Sequence, residues 1–177
     1  MTSHTIEIRK ANLNDLSQLQ KIGIQTFTET FAEHNTADDL SKYIKDSFSN
    51  DKIKLELSNE QSTFYLAIDN EMVIGYLKIN TGDAQTEIQD SQTLEIERIY
   101  VLKEFHGKKV GQLLYEKAIQ IATGLKVNYI WLGVWEQNLR ALQFYKKNGF
   151  LAFDKHMFKL GNDEQIDIMM KLTLYNG

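Results

Sequence analysis

The sequence predicts a mixed α/β domain, a sheet with helices packed on its faces, from two observations. Apolar residues recur at helical spacing between about residues 12 and 58, whereas from residue 63 onward β-branched and aromatic residues gather in runs of strand length. In this second part the order is a hairpin, a long strand, a helix, a strand, a helix and two strands, which gives a sheet covered by helices. A length of 177 residues suits one such domain.

The N-terminal part is predicted to be a short edge strand followed by helices. Asn12 or Asn14 is expected to cap the first helix, because asparagine side chains accept hydrogen bonds from the free N–H groups of a first turn. Apolar residues continue at helical spacing through Phe31. The predicted bounds are 5–9 for the strand, and 12–32, 38–48 and 52–57 for the helices.

The remainder is predicted to contain six strands and two helices. Hairpin turns are predicted at Asp69-Asn70-Glu71 and at Gly161-Asn162-Asp163. The last helix is predicted to end at Asn148-Gly149. The polar stretch 82–90 is predicted to be a loop. Strands are expected over 63–68, 72–79, 93–102, 129–134, 150–158 and 165–172, and helices over 108–122 and 138–147.

Composition argues against several classes of partner. The formal net charge of -4 and the pI of about 5.6 lack the basic excess of a nucleic-acid binder, and a mildly acidic surface suits a cationic small substrate. Without cysteine there is no disulfide, cysteine-ligated zinc or thiol nucleophile, which fits a reducing cytoplasm. No apolar run approaches the roughly 18 residues of a membrane span. We therefore expect a cytoplasmic protein that binds no metal, nucleic acid or membrane.

One segment has the features of an anion-binding turn between a strand and a helix. It reads LEIERIYVLKEFHGKKVGQ over 94–112, with a helix opening near Lys108. Backbone N–H groups at a helix start have no intrahelical partner, and with the helix dipole they suit a pyrophosphate. Gly107 and Gly111 leave room for a ligand near the backbone, and Lys109 adds charge beside Lys108. The segment lacks Gly-x-Gly-x-x-Gly and Gly-Lys-Ser/Thr, which disfavours a dinucleotide-binding βαβ unit or a P-loop.

A second segment, NLRALQFYKKNGF over 138–150, is predicted to be an amphipathic helix followed by a turn. Spacings of three and four place Asn138, Ala141 or Leu142, and Tyr145 on one side of this helix. Taken alone, the pattern indicates a helix that packs on the core.

Together, and in this order, the two segments resemble the GNAT superfamily of N-acetyltransferases over about 63–172. The second segment matches the family's Asn-x-x-Ala-x-x-Phe-Tyr-x-x-x-Gly-Phe at every written position. The first is similar to the family's acetyl-CoA loop, which has the pattern Gln/Arg-x-x-Gly-x-Gly/Ala. In this sequence the six positions are HGKKVG, residues 106–111. The final glycine is kept, whereas His106 takes the first position and Lys109 replaces the middle glycine.

The resemblance implies a GNAT-like fold and a co-substrate. It implies a single domain over 1–177 with a mixed, mostly antiparallel sheet and helices on both faces. The helices of 12–58 would flank the acceptor, and 63–172 would bind acetyl-CoA without a metal. A homodimer, formed through the C-terminal strands, is also expected.

The resemblance further implies where acetyl-CoA would bind. The backbone of 99–101 would hold the acetyl carbonyl and pantetheine at a splay between the strands that end near Leu102 and Val134. Residues 106–112 would bind the pyrophosphate, and the second segment would contact the pantetheine arm and the thioester sulfur. The implied set is Ile99, Tyr100, Val101, His106, Gly107, Lys108, Lys109, Val110, Gly111, Gln112, Asn138, Ala141 and Tyr145.

Direct acetyl transfer requires a neutral amine and a proton for the leaving group. An alkyl ammonium, with a pKa near 10.4, loses its proton at pH 7 at a cost of roughly 4.6 kcal/mol. We expect Glu97 to accept this proton through a water, and His34 is a second candidate for the base. Glu97 and Glu95 lie on the same face of the strand and could equally be solvated residues or charge partners of the substrate. Tyr145 is expected to protonate the thiolate, and the N–H of Val101 to stabilise the developing oxyanion.

The acceptor is predicted to be a cation. Glu29 and Glu33 share a helix face, and Asp38 and Asp39 begin the next helix, where acids also suit the helix dipole. Trp135 could pack on an alkyl ammonium. The stretch TFTETFAEHNTADDL, with GVWEQN, is similar to bacterial spermidine/spermine acetyltransferases of the PaiA type, which implies a polyamine. The expected substrate-binding residues are Glu29, Glu33, His34, Glu97 and Trp135.

Three alternatives stay open at this point. The acceptor could be a peptide or protein amine, which would need an open groove. A module that binds acetyl-CoA without transfer is a second alternative, and the retained Tyr145 argues against it. A DNA-binding regulator is the third, and the acidic charge balance disfavours it.

Overall fold

The structure is a computed structural model that describes residues 5–175. Residues 1–4 and 176–177, the ends of the predicted domain, lie outside the described residues. The helices are α1 (Leu16–Phe31), α2 (Ala37–Ser47), α3 (Asn50–Ser58), α4 (Val110–Leu125) and α5 (Leu139–Lys147). The strands are β1 (Glu7–Lys10), β2 (Ser62–Asp69), β3 (Met72–Thr81), β4 (Thr93–Val101), β5 (Tyr129–Trp135), β6 (Leu151–Leu160) and β7 (Asp163–Thr173).

The strands form one seven-stranded sheet in the order β1-β2-β3-β4-β5-β7-β6. Neighbouring strands are antiparallel except for β4 and β5, which are parallel. Lys117 of α4 lies over the ring of Tyr65, whereas Glu56 of α3 pairs with Lys78, which lies over the ring of Phe64. Because successive strand residues point to opposite faces, helices cover both faces of the sheet. The predicted mixed α/β class is confirmed.

Each helix and strand that the sequence predicts is present, with bounds that shift by a few residues. The largest shift is at α1, which begins at Leu16 because a short 3-10 turn precedes it. Asn12 caps this turn by accepting a hydrogen bond from the N–H of Asn14, and Asp15 accepts one from the N–H of Asn12. The predicted cap therefore belongs to the 3-10 turn.

The core fixes α4 against the sheet. Leu114, Ala118 and Ala122 form the inner stripe of this helix, and all three are fully buried against the first four strands. This packing holds the loop before α4 at the end of β4, where the candidate site lies. Within residues 5–175, no helix combines the length and the apolar character that crossing a membrane requires.

Candidate active site

The site forms where the two parallel strands of the sheet separate. β4 and β5 pair only between Thr93–Glu95 and Tyr129–Trp131. Each strand then continues without pairing to the other, β4 to Val101 and β5 to Trp135. The facing edges leave a gap in the sheet, and a ligand can bind backbone groups there. This gap lies where the resemblance implied a splay.

A β-bulge in β4 lies at the edge of this gap. Lys78 pairs with Arg98 and Ile79 pairs with Ile96, which leaves Glu97 as the additional residue. Bulges redirect side chains and occur often beside active sites. The bulge brings Glu97 into a buried network of charges.

In this network, two cations lie between two carboxylates. Lys78 Nζ lies 2.5 Å from Glu97 Oε2, and Arg98 lies 3.9 Å from Glu97 Oε1. The same two cations lie 3.4 and 3.5 Å from Glu56 Oε2. Burial opposes ionisation of Glu97, but Arg98 and Lys78 together outweigh it and lower its pKa. Glu97 is therefore a carboxylate at neutral pH.

Glu95 lies beside Glu97 but has a different environment. Asn80 Nδ2 donates hydrogen bonds to Glu95 at 2.9 Å and to Glu97 at 2.8 Å. Thr86 donates to Glu95 through its N–H at 2.9 Å and its hydroxyl at 2.5 Å. Burial raises the pKa of Glu95 in spite of these hydrogen bonds. The two neighbouring glutamates therefore titrate in opposite directions from their ordinary values.

A cavity of about 1060 Å³, here called the cofactor cavity, opens on one side of the gap. All but one of the residues that the resemblance assigns to acetyl-CoA line it. The exception is Lys108, whose Nζ lies 4.9 Å from the centre of the Phe105 ring. The predicted residues that do line the cavity are Ile99, Tyr100, Val101, His106, Gly107, Lys109, Val110, Gly111, Gln112, Asn138, Ala141 and Tyr145.

The loop between β4 and α4 has the backbone of an anion-binding turn. Gly107 and Lys109 are left-handed, with φ values of 80° and 63°. The left-handed Lys109 cannot be part of α4, so the helix begins at Val110, two residues later than predicted. A Cβ at Gly107 would meet nothing within 4 Å, which shows that the space beside it is open. The free N–H groups of the first helical turn and this open space fit the pyrophosphate of coenzyme A.

His106 holds the loop to the end of β4. Its Nε2 lies 2.9 Å from the carbonyl oxygen of Val101 and donates a hydrogen bond to it. Burial lowers the pKa of His106, which favours the neutral ring. The residue that replaces the family's Gln or Arg therefore anchors the loop to the strand.

Tyr145 lies where the cofactor cavity meets a second cavity. It belongs to α5, which Asn138 caps by accepting a hydrogen bond from the N–H of Ala141 at 3.2 Å. Tyr145 is only 6% exposed and packs edge-on against Phe144 and Phe150. Burial raises the pKa of Tyr145, so the side chain is a neutral phenol at neutral pH.

The second cavity, here called the acceptor cavity, has a volume of about 340 Å³ and lies on the other side of the gap. Aromatic rings from the helices and from β5 form much of its wall. The Phe31 ring lies 5.1 Å from Trp135, and the Phe27 ring stacks on Tyr43 at 4.5 Å. The carboxylates that line it are Glu87, Glu95, Glu97 and Asp167.

Only part of the predicted acceptor set lies at this cavity. Glu97 and Trp135 line it. Glu29 lines the cofactor cavity instead, where its carboxylate accepts a backbone hydrogen bond from the loop after β4 at 2.8 Å. His34 also lines the cofactor cavity, edge-on to Trp135, and Glu33 lines neither cavity. Helical spacing put Glu29 and Glu33 on one face, but that face does not point to the acceptor cavity.

The acceptor cavity also contains polar residues that the sequence analysis does not identify, and three of them, Glu87, His156 and Asp167, lie together. His156 Nδ1 contacts Glu87 Oε1, and His156 is the cross-strand partner of Asp167. Burial, reinforced by Glu87 and opposed by His156, raises the pKa of Asp167 to about 6. The sequence contains one signal for it, a single acid within the apolar run 166–170.

This fold, with two cavities that meet at a gap in the sheet, is typical of a transferase domain. Residues 5–175 contain no group of three or more His, Cys, Asp or Glu side chains arranged to hold a metal ion. At the gap the cavities share Ile99, Tyr100, Trp135, Asn138, Ala141 and Tyr145.

Comparison with known proteins gives the family. The model of the family described as "Acetyltransferase (GNAT) family" matches residues 22–150. The uncharacterized N-acetyltransferase in the pepI 3' region of Lactobacillus delbrueckii subsp. lactis is 38% identical over 96% of this chain and 98% of its own length. The chain therefore belongs to the acetyltransferase (GNAT) family.

Two further matches are to proteins of Thermoplasma acidophilum. A spermidine N(1)-acetyltransferase is 27% identical over 85% of this chain and 91% of its own length. The crystal structure of PaiA N-acetyltransferase in complex with coenzyme A superposes with a TM-score of 0.79 and 25% identity, covering 96% of this chain and 99% of that one. The predicted family, enzyme class and co-substrate are confirmed: the protein is an acetyl-CoA-dependent N-acetyltransferase.

Proposed function

We propose that this enzyme acetylates a primary amine of a polyamine, spermidine or spermine, by direct attack of the amine on acetyl-CoA. The observation that carries the proposal is that the cofactor and acceptor cavities open on the same gap between β4 and β5. The acceptor cavity combines carboxylates with aromatic rings, a combination that suits an organic cation. The Thermoplasma relative named as a spermidine N(1)-acetyltransferase supports the same substrate class.

The cofactor cavity would hold acetyl-CoA through backbone groups. When bound, acetyl-CoA supplies an acetyl group that its thioester activates for attack by an amine. The N–H groups of residues 109–112 bind the pyrophosphate, and Asn138 contacts the pantetheine arm. The N–H of Val101, at the end of β4, stabilises negative charge that develops on the acetyl oxygen. Because the amine approaches from the other cavity, no covalent link to the enzyme is needed.

Glu97 is assigned as the group that accepts the proton of the amine through a water. The proton must leave because an ammonium with a pKa near 10.4 is not a nucleophile, and its loss at pH 7 costs roughly 4.6 kcal/mol. Glu97 is ionised and lies two residues before Ile99, at the gap. Glu95 lies farther back, where β4 still pairs with Trp131, and His34 lies on the cofactor side.

Tyr145 is assigned as the proton donor to the leaving sulfur. Its raised pKa keeps the phenol protonated in the free enzyme, so that it can donate a hydrogen bond to the thioester sulfur. A free thiol has a pKa near 8.5, and burial of the departing thiolate in this apolar place raises its proton affinity further. Because burial disfavours both a free thiolate and a tyrosinate, we assign Tyr145 to donate a hydrogen bond to the departing sulfur and to supply its proton.

The test is release of free thiol from acetyl-CoA by the purified protein. Four reactions are compared, with spermidine, with spermine, with a lysine-containing peptide and without acceptor. We expect release that saturates with spermidine or spermine and stays at the background rate without acceptor. Release with the peptide alone would overturn the polyamine assignment and favour a peptide acceptor. Saturable acetyl-CoA binding without release in any reaction would favour a binding module.

We also propose a homodimer that forms through the outer strand β6, and a cytoplasmic location, where acetyl-CoA is available. β6 is an edge of the sheet and exposes apolar side chains, with Leu151 at 73% and Met157 at 56% exposure. An exposed apolar edge strand readily pairs with a second chain. Sedimentation analysis should give twice the 20.5 kDa of one chain, and a Leu151→Lys, Met157→Lys variant should be monomeric. A monomer at every concentration would contradict the dimer.

A further inference from the structure

Gly133 leaves an opening in the wall of the acceptor cavity. It lies between Leu132 and Val134 in β5, and both neighbours are buried whereas Gly133 is exposed. A glycine inside a strand often marks a place where a ligand approaches the backbone closely. A Cβ at Gly133 would lie 3.5 Å from Asp167 Oδ2. The missing side chain therefore leaves open space directly beside one carboxylate oxygen.

The Asp167 carboxylate lies at a distance from the part of the acceptor cavity that meets the cofactor cavity. Asp167 is the cross-strand partner of Trp135, but its carboxylate reaches toward Gly133, two residues earlier in β5. Two residues along a strand span about 7 Å. Trp135 and Tyr145 line both cavities and mark the place where the acceptor meets the cofactor. A carboxylate at this offset matches an acceptor whose second nitrogen is a short alkyl chain away from the first.

Asp167 also differs from Glu97 in its partners. Glu97 is balanced by Lys78 and Arg98. Among the side chains of residues 5–175, by contrast, no salt bridge or hydrogen bond to Asp167 is formed. The titratable groups that face it are His156 on β6, Glu87 in the loop before β4 and Tyr43 on α2, and His156 itself contacts Glu87. Asp167 therefore has a carboxylate available for a cation that enters from the cavity.

We propose that Asp167, beside Gly133, binds the ammonium group of a diamine or polyamine that does not react, and thereby selects acceptors with two cationic nitrogens. The inference rests on the proposed function and names the residue that recognises this substrate class. The reacting nitrogen lies at the gap beside Tyr145, and the alkyl chain lies along Trp135. The second nitrogen lies over Gly133 and pairs with Asp167.

Kinetics with matched acceptors test this assignment. Asp167→Asn keeps the shape of the side chain and removes its charge, and Glu164→Gln removes an exposed charge from the same strand as a control. Asp167→Asn should raise the KM for spermidine on the order of 10- to 100-fold, because a hydrogen bond between charged groups is lost. The KM for butylamine, which has one nitrogen, should change less than about twofold, as should kcat for both. Equal changes for both amines, or no change with spermidine, would overturn the inference.

Calorimetry separates this inference from the proposed function. Spermidine is titrated into the complex of the protein with coenzyme A, so that the readout requires no turnover. We expect the wild type to bind spermidine, Asp167→Asn to bind it at least tenfold more weakly, and Gly133→Ala to weaken it by filling the open space. If the wild type binds spermidine but transfers no acetyl group, the proposed function fails while the affinity difference still supports Asp167. Equal affinities of the wild type and Asp167→Asn, or no binding to the wild type, overturn the inference.

Discussion

The cofactor cavity and the acceptor cavity are built in different ways. The cofactor cavity is lined mostly by two continuous segments of the chain, within 99–116 and 135–148, and the loop between β4 and α4 offers it backbone groups. The acceptor cavity is formed by side chains from α1, α2, α5, the loop before β4 and four strands. A short run of sequence can specify a backbone cradle, whereas a pocket of side chains depends on how distant elements pack together. One enzyme can therefore keep its co-substrate site while its acceptor site changes.

The largest effect is expected at Tyr145, which belongs to both cavities. Tyr145→Phe should lower kcat on the order of 100-fold, because the proton donor to the sulfur is lost while the ring still packs. The Kd of acetyl-CoA and the KM of spermidine should stay close to those of the wild type. Steady-state kinetics and calorimetry check this.

The matched control is Tyr115→Phe, which changes another buried tyrosine that packs on the same rings of Phe144 and Phe150 but lines neither cavity. This variant should keep wild-type kcat. A kcat for Tyr145→Phe within threefold of the wild type would assign the proton donor to a water instead.

The same contrast explains what the sequence could predict. The sequence predicts the helices, the strands and the loop between β4 and α4 closely, because local spacing and glycine positions determine them. Lys108 is the exception, since its direction depends on the Phe105 ring. Glu29 was expected in the acceptor cavity but lies in the other one, because helical spacing does not tell which cavity a helix face meets. Asp167 and Glu87 meet only after the sheet has formed, so no local pattern joins them.

A second large effect is expected in the buried network of the acceptor side. Lys78→Met would leave Glu97 and Glu56 with Arg98 as their remaining cation, and this should lower the free energy of unfolding by roughly 3 kcal/mol. The pKa of Glu97 should rise, because one of the two cations that lower it is gone. Urea unfolding measures the first effect, and exposed Lys159→Met is the control.

The pH dependence of stability gives the sign of the Glu97 shift. The folded-state pKa of Glu97 is below its ordinary value of 4.5, so its contribution to stability is present above that value and is lost as the pH falls through the folded-state pKa. In Lys78→Met this loss should be smaller and should end at a higher pH, because the folded-state pKa of Glu97 lies closer to 4.5. The Kd of acetyl-CoA should not change, since Lys78 does not line the cofactor cavity. If the free energy of unfolding falls with decreasing pH in the same way in the wild type and in Lys78→Met, the role of Lys78 is contradicted.

A smaller effect is expected on the cofactor side, at the left-handed Lys109. Lys109→Gly relieves a backbone strain of about 1–2 kcal/mol but adds about 0.5–1 kcal/mol of unfolded-state entropy. We expect the free energy of unfolding to rise by roughly 0.5–1 kcal/mol, and the Kd of acetyl-CoA to rise a few-fold because a charge is lost. Lys108→Ala, which changes the neighbouring lysine outside the cavity, should leave that Kd unchanged. A spermidine KM that changes with either variant would show that the two cavities are coupled.

The last effect is expected at Asp167, in the pH dependence of the free enzyme. Its pKa is raised from 3.8 to about 6, so the native state binds more protons than the unfolded state between those values, and stability falls as the pH rises through this window. Asp167→Asn should therefore have a higher Tm than the wild type at pH 7, and the difference should vanish near pH 4, whereas Glu164→Gln should follow the wild type. Saturating spermidine should raise the Tm of the wild type more than that of Asp167→Asn, because a ligand stabilises the state that binds it. A carboxylate that is kept for binding destabilises the empty site and stabilises the complex. If the wild type without ligand is instead more stable than Asp167→Asn at pH 7, Asp167 serves to stabilise the fold.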